Sequence, residues 1–329
     1  MTVKNKKLID AINEYLNSVK LSRSLNTAKT YSNALKTYQQ VLIEHKFDPL
    51  TEDTNHLSED SVAWLASSLK PYSPATERLY LTAVTGFFEY LAAENLSTVN
   101  LSRIHLLIRQ RSRKPGQRLP QFPKDSIEEI TNHMINKKIS PDLEKGERFR
   151  LLRDRSFILT LSDTGLRVHE ACGLRRGDID WNEGHAIVIG KGNRQAVVRF
   201  SQRAMKALKE YLSVRSELDG ASGRPLGSLP VFARHDHGAG KKIKPITTTT
   251  GRNIVNETVA EVLGRNAVGT ITPHSFRHYF VTKVLQSSGN LKLAQELARH
   301  QNIAVTQRYA HLSDNELDKG YFDVFDNKQ

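Results

Sequence analysis

Apolar residues recur at helical spacing through the first part of the chain. Residues 5–19 set Leu8, Ile9, Ile12, Tyr15, Leu16 and Val19 on one stripe, the i, i+3, i+4 pattern of an amphipathic helix. Asn26-Thr27 opens a second stretch, with Tyr31, Leu35, Tyr38, Val41 and Leu42 on one face. Ser58 precedes a third, through Val62, Leu65 and Leu69. Ser73 followed by Pro74 reads as an N-cap and a first-turn proline, both of which suit a helix start. The helix behind them carries Leu81, Val84, Phe88 and Leu91. These stripes predict a small helical bundle with its apolar faces inward. Nothing in it resembles a catalytic constellation, so it reads as a binding module.

The pattern breaks at 106–124. Pro115-Gly116, Pro120 and Pro123 fall among basic residues, and such punctuation predicts a non-helical linker. Beyond it the periods are mixed. Residues 125–137 and 147–163 read as helices. Residues 185–190 and 195–200 are β-rich runs flanking Lys191-Gly192-Asn193-Arg194, the signature of a hairpin. Helices are expected again at 201–215, 248–264, 273–287 and 291–299, around Tyr309, and near 314–324. Residues 218–245, rich in Gly, Pro, Ser and Lys, read as mostly loop. The fold class expected is mainly α with a small β-hairpin or sheet (α+β). The division expected is a helical domain over 1–105, a linker over 106–124 and a second domain over 125–329.

Length agrees, since 329 residues suit about two domains. Charge adds more. Lys and Arg exceed Asp and Glu by 13, a balance that points to a polyanionic partner. The excess is uneven: residues 1–105 are neutral, 106–124 carry +6 with no acid, and the rest carry +7. Arg109, Arg111, Arg113, Lys114 and Arg118 are therefore candidates to lie on a phosphate backbone. The single cysteine, Cys172, forms no internal disulfide and no cysteine-based zinc cluster. A reducing, cytoplasmic setting is expected. No apolar run reaches the length of a membrane span. The basic N-terminus lacks the apolar core of a secretory signal.

Three motifs are decoys. Gly184 to Gly192 has five residues between its first two glycines and no Ser or Thr after Lys191, so it is not a phosphate loop. His274 and His278 lack the adjacent glutamate of a zinc-protease helix. His235-Asp236-His237 reads as a solvated loop. The remaining signals act together. Arg167 follows a helix-breaking glycine, with Glu170 three residues on. Lys191 stands at the hairpin tip, and His274 and Arg277 lie one turn apart at a helix start. His300 precedes Tyr309 by nine residues. Two arginines, two histidines and a lysine around a phosphodiester form an electrostatic cage for its transition state. A tyrosine phenol in that cage is a potential nucleophile once a base such as histidine takes its proton. The carboxylate cluster of a two-metal nuclease is not apparent.

These motifs resemble those of the tyrosine site-specific recombinases, the phage-type integrases. Over residues 125–325, Thr164-Gly165-Leu166-Arg167-x-x-Glu170 resembles the first-arginine box and Gly190-Lys191-Gly192-Asn193-Arg194 the β-hairpin lysine box. Pro273-His274-x-x-Arg277-His278 resembles the second-arginine box, and His300 with Tyr309-Ala310-His311-Leu312 the nucleophile segment. Residues 5–95 resemble, more weakly, the family's helical core-binding domain. The resemblance implies that Tyr309 forms a 3′-phosphotyrosyl link to DNA. It implies phosphate binding by Arg167 and Arg277, a base at His274, an acid at Lys191 and a hydrogen-bond donor at His300. Glu170 would hold Arg167, and His278 would buttress its helix. Neither metal nor ATP would be required.

The implied partner is a double-stranded DNA recombination site. A homotetramer would act on it through a Holliday junction, the two domains and linker clamping the duplex. The acidic tail, 314–329 at net −3, would be exchanged between subunits or pack on its own domain. No additional N-terminal arm-binding domain is expected ahead of residue 5. Three positions depart from the family pattern: His169, Ala171-Cys172, and Arg299, which stands where the family usually has glycine. Cys172 reads as a small buried residue. A type IB topoisomerase shares this chemistry, and a non-catalytic DNA-binding accessory protein is a further alternative.

Overall fold

The computed structural model describes residues 4–113, 123–190, 195–236, 243–300 and 302–307. Lys114, Arg118, Lys191, His237, Tyr309 and the 314–329 tail lie outside the described residues. The chain divides into two compact units, Met1–Gln117 and Arg118–Gln329.

The first unit is helical: α1 (Leu8–Ser22), α2 (Leu25–Glu44), α3 (Asp60–Ser68), α4 (Pro74–Ala93) and α5 (Leu101–Arg111). Their inward stripes form one core around Leu8, Ile12, Leu35, Tyr38, Phe87 and Phe88, all fully buried. Ser73 caps α4 as the sequence suggests, its hydroxyl accepting from the Thr76 N–H. Helix α2 starts at Leu25, one residue before Asn26, because the Ser24 hydroxyl caps it by accepting from the Thr27 N–H.

A larger correction concerns the linker. The segment from residue 106 is helical as far as Arg111. Asn100 caps that helix by accepting from the Arg103 N–H at 3.1 Å, and Ile104 is buried in the core. The first proline comes only at Pro115, so nothing stops the helix before its last turn.

The second unit places helices around a three-stranded antiparallel sheet, in the order β1 (Ile179–Asp180), β2 (His185–Ile189), β3 (Gln195–Arg199). The hairpin register pairs His185 with Arg199 and Ile189 with Gln195. Ala186, Val188 and Val198 face the core while Ile187, Ile189 and Val197 face outward. The sequence did not announce β1, because two residues carry no alternation. The helices are α6 (Lys124–Asn136), α7 (Lys145–Thr164), α8 (Val168–Gly173), α9 (Gln202–Val214), α10 (Ser216–Gly220), α11 (Thr248–Leu263), α12 (Pro273–Ser288), α13 (Leu291–Ala298) and α14 (Ile303–Gln307). The last half of α7 is buried on all sides, from Ser156 through Ser162.

His235 does not sit in a solvated loop. Its Nε2 meets the Tyr211 hydroxyl at 2.7 Å, and its ring lies 5.0 Å from that of Phe149. Burial, with Arg153, Arg215 and Arg150 nearby, pushes its pKa down to about 3. Cys172 is buried as expected, and burial pushes its thiol up to about 12. Among the described residues, no helix is long and apolar enough to cross a membrane.

Candidate active site

The site begins where α7 ends. Gly165 adopts a left-handed φ of 59°, which glycine tolerates without strain. A Cβ there would stand 2.5 Å from the Phe280 ring, so the position also needs the missing side chain. The turn sets Arg167 as the N-cap of α8. Glu170, in the first turn, reaches back. Its Oε2 accepts from the Arg167 N–H at 2.9 Å, and its Oε1 from Arg167 Nη1 at 2.9 Å. Burial raises the Glu170 pKa, but Arg299, the Arg167 N–H and the Arg167 guanidinium outweigh it and hold the carboxyl below its usual range. Glu170 is therefore an anion at neutral pH.

Helix α12 supplies the second cation. Thr272 caps it and Pro273 opens it, at the residue where a helix was expected to start, and Ser275 Oγ accepts from the Thr272 N–H at 3.1 Å. Arg277 is almost wholly buried. Its Nη1 donates to the Gly165 carbonyl at 2.6 Å and its Nη2 to the Ala298 carbonyl. Two helix ends, those of α7 and α13, thus hold it. His274 lies one turn before it, edge-on to His278 with 4.2 Å between ring centroids. Burial, Arg277 and Arg167 lower the His274 pKa. Burial, His274 and Arg277 bring His278 to about 4.

His300 follows Arg299, the C-cap of α13. Its Nδ1 shares a 2.9 Å hydrogen bond with the Thr306 hydroxyl. Gln295 brackets its backbone, accepting from the His300 N–H at 3.1 Å and donating to its carbonyl at 3.0 Å. Burial and then Arg277 and Arg167 bring its pKa to about 4. The Thr306 hydroxyl can donate or accept at this contact, and donation to Nδ1 is the arrangement that puts the proton of the neutral ring on Nε2.

Arg167, Glu170, His274, Arg277, Arg299 and His300 line one cavity of about 1120 Å³, closed on one side by Val188, Gln195–Val197 and Arg199 of the hairpin. The structure thus brings together four of the six catalytic candidates and the supporting Glu170. Lys191 follows Gly190, which also lines the cavity. Tyr309 follows α14 by two residues.

Sequence reasoning missed Thr306 and Arg199. Thr306 is fully buried on an otherwise exposed turn, and its place three residues before Tyr309 was the available signal. Arg199 ends a strand whose outward side chains face the cavity.

The basic candidates in the first unit divide. Arg109 and Arg111 are exposed on the last turn of α5. Arg113 is committed within its unit. Its Nε donates to Glu77 at 2.6 Å, its backbone N–H donates to the same carboxylate at 3.1 Å, and its Nη2 donates to the Tyr72 carbonyl at 2.5 Å.

Residues 122–316 match the phage integrase family, and residues 12–95 match the phage integrase N-terminal SAM-like domain. The first match covers more than half of the chain, and the chain belongs to the phage integrase family. As an enzyme it is a tyrosine recombinase, and its activity class is site-specific DNA recombination. The tyrosine recombinase XerC of Thermodesulfovibrio yellowstonii is 29% identical over 92% of this chain and 91% of its own length. The tyrosine recombinase XerD of Brucella melitensis biotype 1 is 26% identical over 94% of each. Among solved structures, the XerH site-specific recombinase bound to palindromic difH substrate, a post-cleavage complex, shares the fold. Its TM-score is 0.68 at 19% identity, over 97% of this chain and 91% of that one. A λ integrase dimer bound to a COC′ core site does so with a TM-score of 0.62 at 15% identity, over 94% and 78%.

Proposed function

We propose that the chain cleaves and rejoins duplex DNA at a specific site through a 3′-phosphotyrosyl intermediate. The observation that carries the reading is the convergence of Arg167, His274, Arg277 and His300, from three separate sequence boxes, on one cationic cavity. In the step proposed, the Tyr309 oxygen attacks phosphorus and the bond to the 5′-oxygen breaks. His274, kept neutral by its surroundings, takes the phenolic proton. Lys191 gives a proton to the leaving oxygen. Arg167 and Arg277 neutralise the phosphoryl oxygens, and the Nε2–H of His300 donates to one of them. Glu170 orients Arg167, and His278 supports His274. The covalent link conserves the energy of the phosphodiester, so rejoining draws on no cofactor in this reading.

The first unit is proposed as the core DNA-binding domain. Arg109 and Arg111, with Lys114 and Arg118, are proposed to lie on the phosphate backbone. Arg113 is better placed to fasten the start of that stretch through Glu77. A tetramer that exchanges the 314–329 tails and passes through a Holliday junction completes the proposal, with the cytoplasm as its setting.

The test uses a supercoiled plasmid carrying two copies of the DNA segment that the purified protein captures from fragmented genomic DNA. Resolution into two product circles is expected. Relaxation of plasmids with or without the segment, and no exchange, would replace recombination by topoisomerase activity.

A further inference from the structure

Arg299 holds a backbone conformation that arginine rarely takes. It caps α13 with φ 59° and ψ 44°, in the left-handed region where a Cβ meets the following carbonyl. Its side chain is buried at 10% exposure and pairs with Glu170, Nη2 to Oε2 at 3.1 Å. The same Nη2 approaches the Gly165 carbonyl at 3.4 Å, the carbonyl that also accepts from Arg277. Its Nε and Nη1 are buried with no hydrogen-bond partner among the described residues. Arg299 therefore touches the group that orients Arg167 and the group that holds Arg277, and it immediately precedes His300.

We propose that Arg299 is a positioning residue of the phosphate site. Its pairing with Glu170 fixes the turn that presents His300 and divides the Glu170 charge between two arginines, leaving Arg167 available to a phosphate. This inference rests on the phosphate-site reading above and adds a residue to it. Two arguments support it. A strained left-handed residue persists only where its surroundings over-determine it, and the ion pair is the strongest contact Arg299 makes. A carboxylate buried at 1% exposure against Arg167 alone would bind that arginine one to one. A second guanidinium on Oε2 leaves the cluster with net positive charge, which a phosphate oxygen needs.

The test uses the full chain with inorganic phosphate as probe, followed through the histidine Cε1–H resonances across pH. Arg299→Gly suits the left-handed turn and should fold. It is expected to weaken phosphate about tenfold, the effect of one charge-assisted contact. The His300 Cε1–H resonance should move as well, because the turn that presents its ring is no longer tied to Glu170. Arg299→Lys should recover most of the phosphate affinity. In a Glu170→Gln background, which removes the charge being shared, Arg299→Gly should have little further effect. An equal loss in both backgrounds would mark the removal of one positive charge and nothing more, and would overturn the inference. So would unchanged affinity and an unmoved His300 in Arg299→Gly. Wild-type protein that takes up no phosphate would overturn the phosphate site itself and this inference with it.

Discussion

Thr306 occupies Nδ1 of His300 and leaves Nε2 as the ring nitrogen for the reaction. A neutral imidazole offers one donor and one acceptor, and the Thr306 hydroxyl occupies Nδ1 at 2.9 Å. Thr306→Val keeps the buried shape and deletes the hydroxyl. Covalent adduct formation in single turnover is expected to fall about tenfold, with a stability loss of about 1 kcal/mol for one hydrogen bond. Unchanged turnover would separate His300 from the reaction. Residues at this scale were unevenly legible. Arg167, Glu170, His274 and Arg277 stand in spaced boxes that chemistry alone can group. Thr306 could not be read, because a threonine becomes informative only once folding buries it against His300. The left-handed turn at Arg299 was signalled only by the resemblance, whose pattern usually has glycine there, the residue that takes such turns without strain.

At the scale of elements, apolar period and capping residues located most helices. The exceptions share a cause. Short elements such as β1 and α8 carry too few residues for a period to show. Helix α5 was hidden by the basic residues of its second half, although Asn100 caps it and Ile104 anchors it in the core. That helix ends in a buried clasp. Glu77, wholly inaccessible on α4, accepts from Lys70 at 2.9 Å and from Arg113 at 2.6 Å. The cations outweigh burial and keep its pKa below the ordinary value. Glu77→Gln keeps the shape but loses the charge. Because Lys70 and Arg113 are partly solvated, the cost expected is about 1–2 kcal/mol. The calorimetric transition of the first unit should shift down by about 5–10 °C while that of the second stays in place. A shift confined to the second unit would contradict the assignment.

The whole molecule carries a surplus of positive charge, yet its second unit keeps several histidines neutral. His278 and His300 sit at about 4 and His235 at about 3, all below the unfolded value of about 6.5. The unfolded chain therefore binds these protons first as pH falls. Stability of the second unit should be flat above pH 6.5 and decline from there toward pH 4. The carboxylate Glu170, with a lowered pKa, acts in the same direction below about 4.5. Thermal melts across this range check the slope, and a second unit that grows more stable from pH 6.5 to 5 would contradict the buried, neutral histidines. The two-unit division and the polyanionic partner were legible from period and charge. The exact contacts that hold the units' active groups were not, because they join residues far apart in sequence.

Covalent attachment of DNA through Tyr309 is tested by trapping protein–DNA complexes under denaturing conditions. Wild type and Tyr309→Phe are expressed side by side, the complexes purified, and the attached DNA sequenced. DNA is expected on wild type alone, gathered at one or a few sequences. Equal adducts on Tyr309→Phe, or adducts on neither protein, would contradict it.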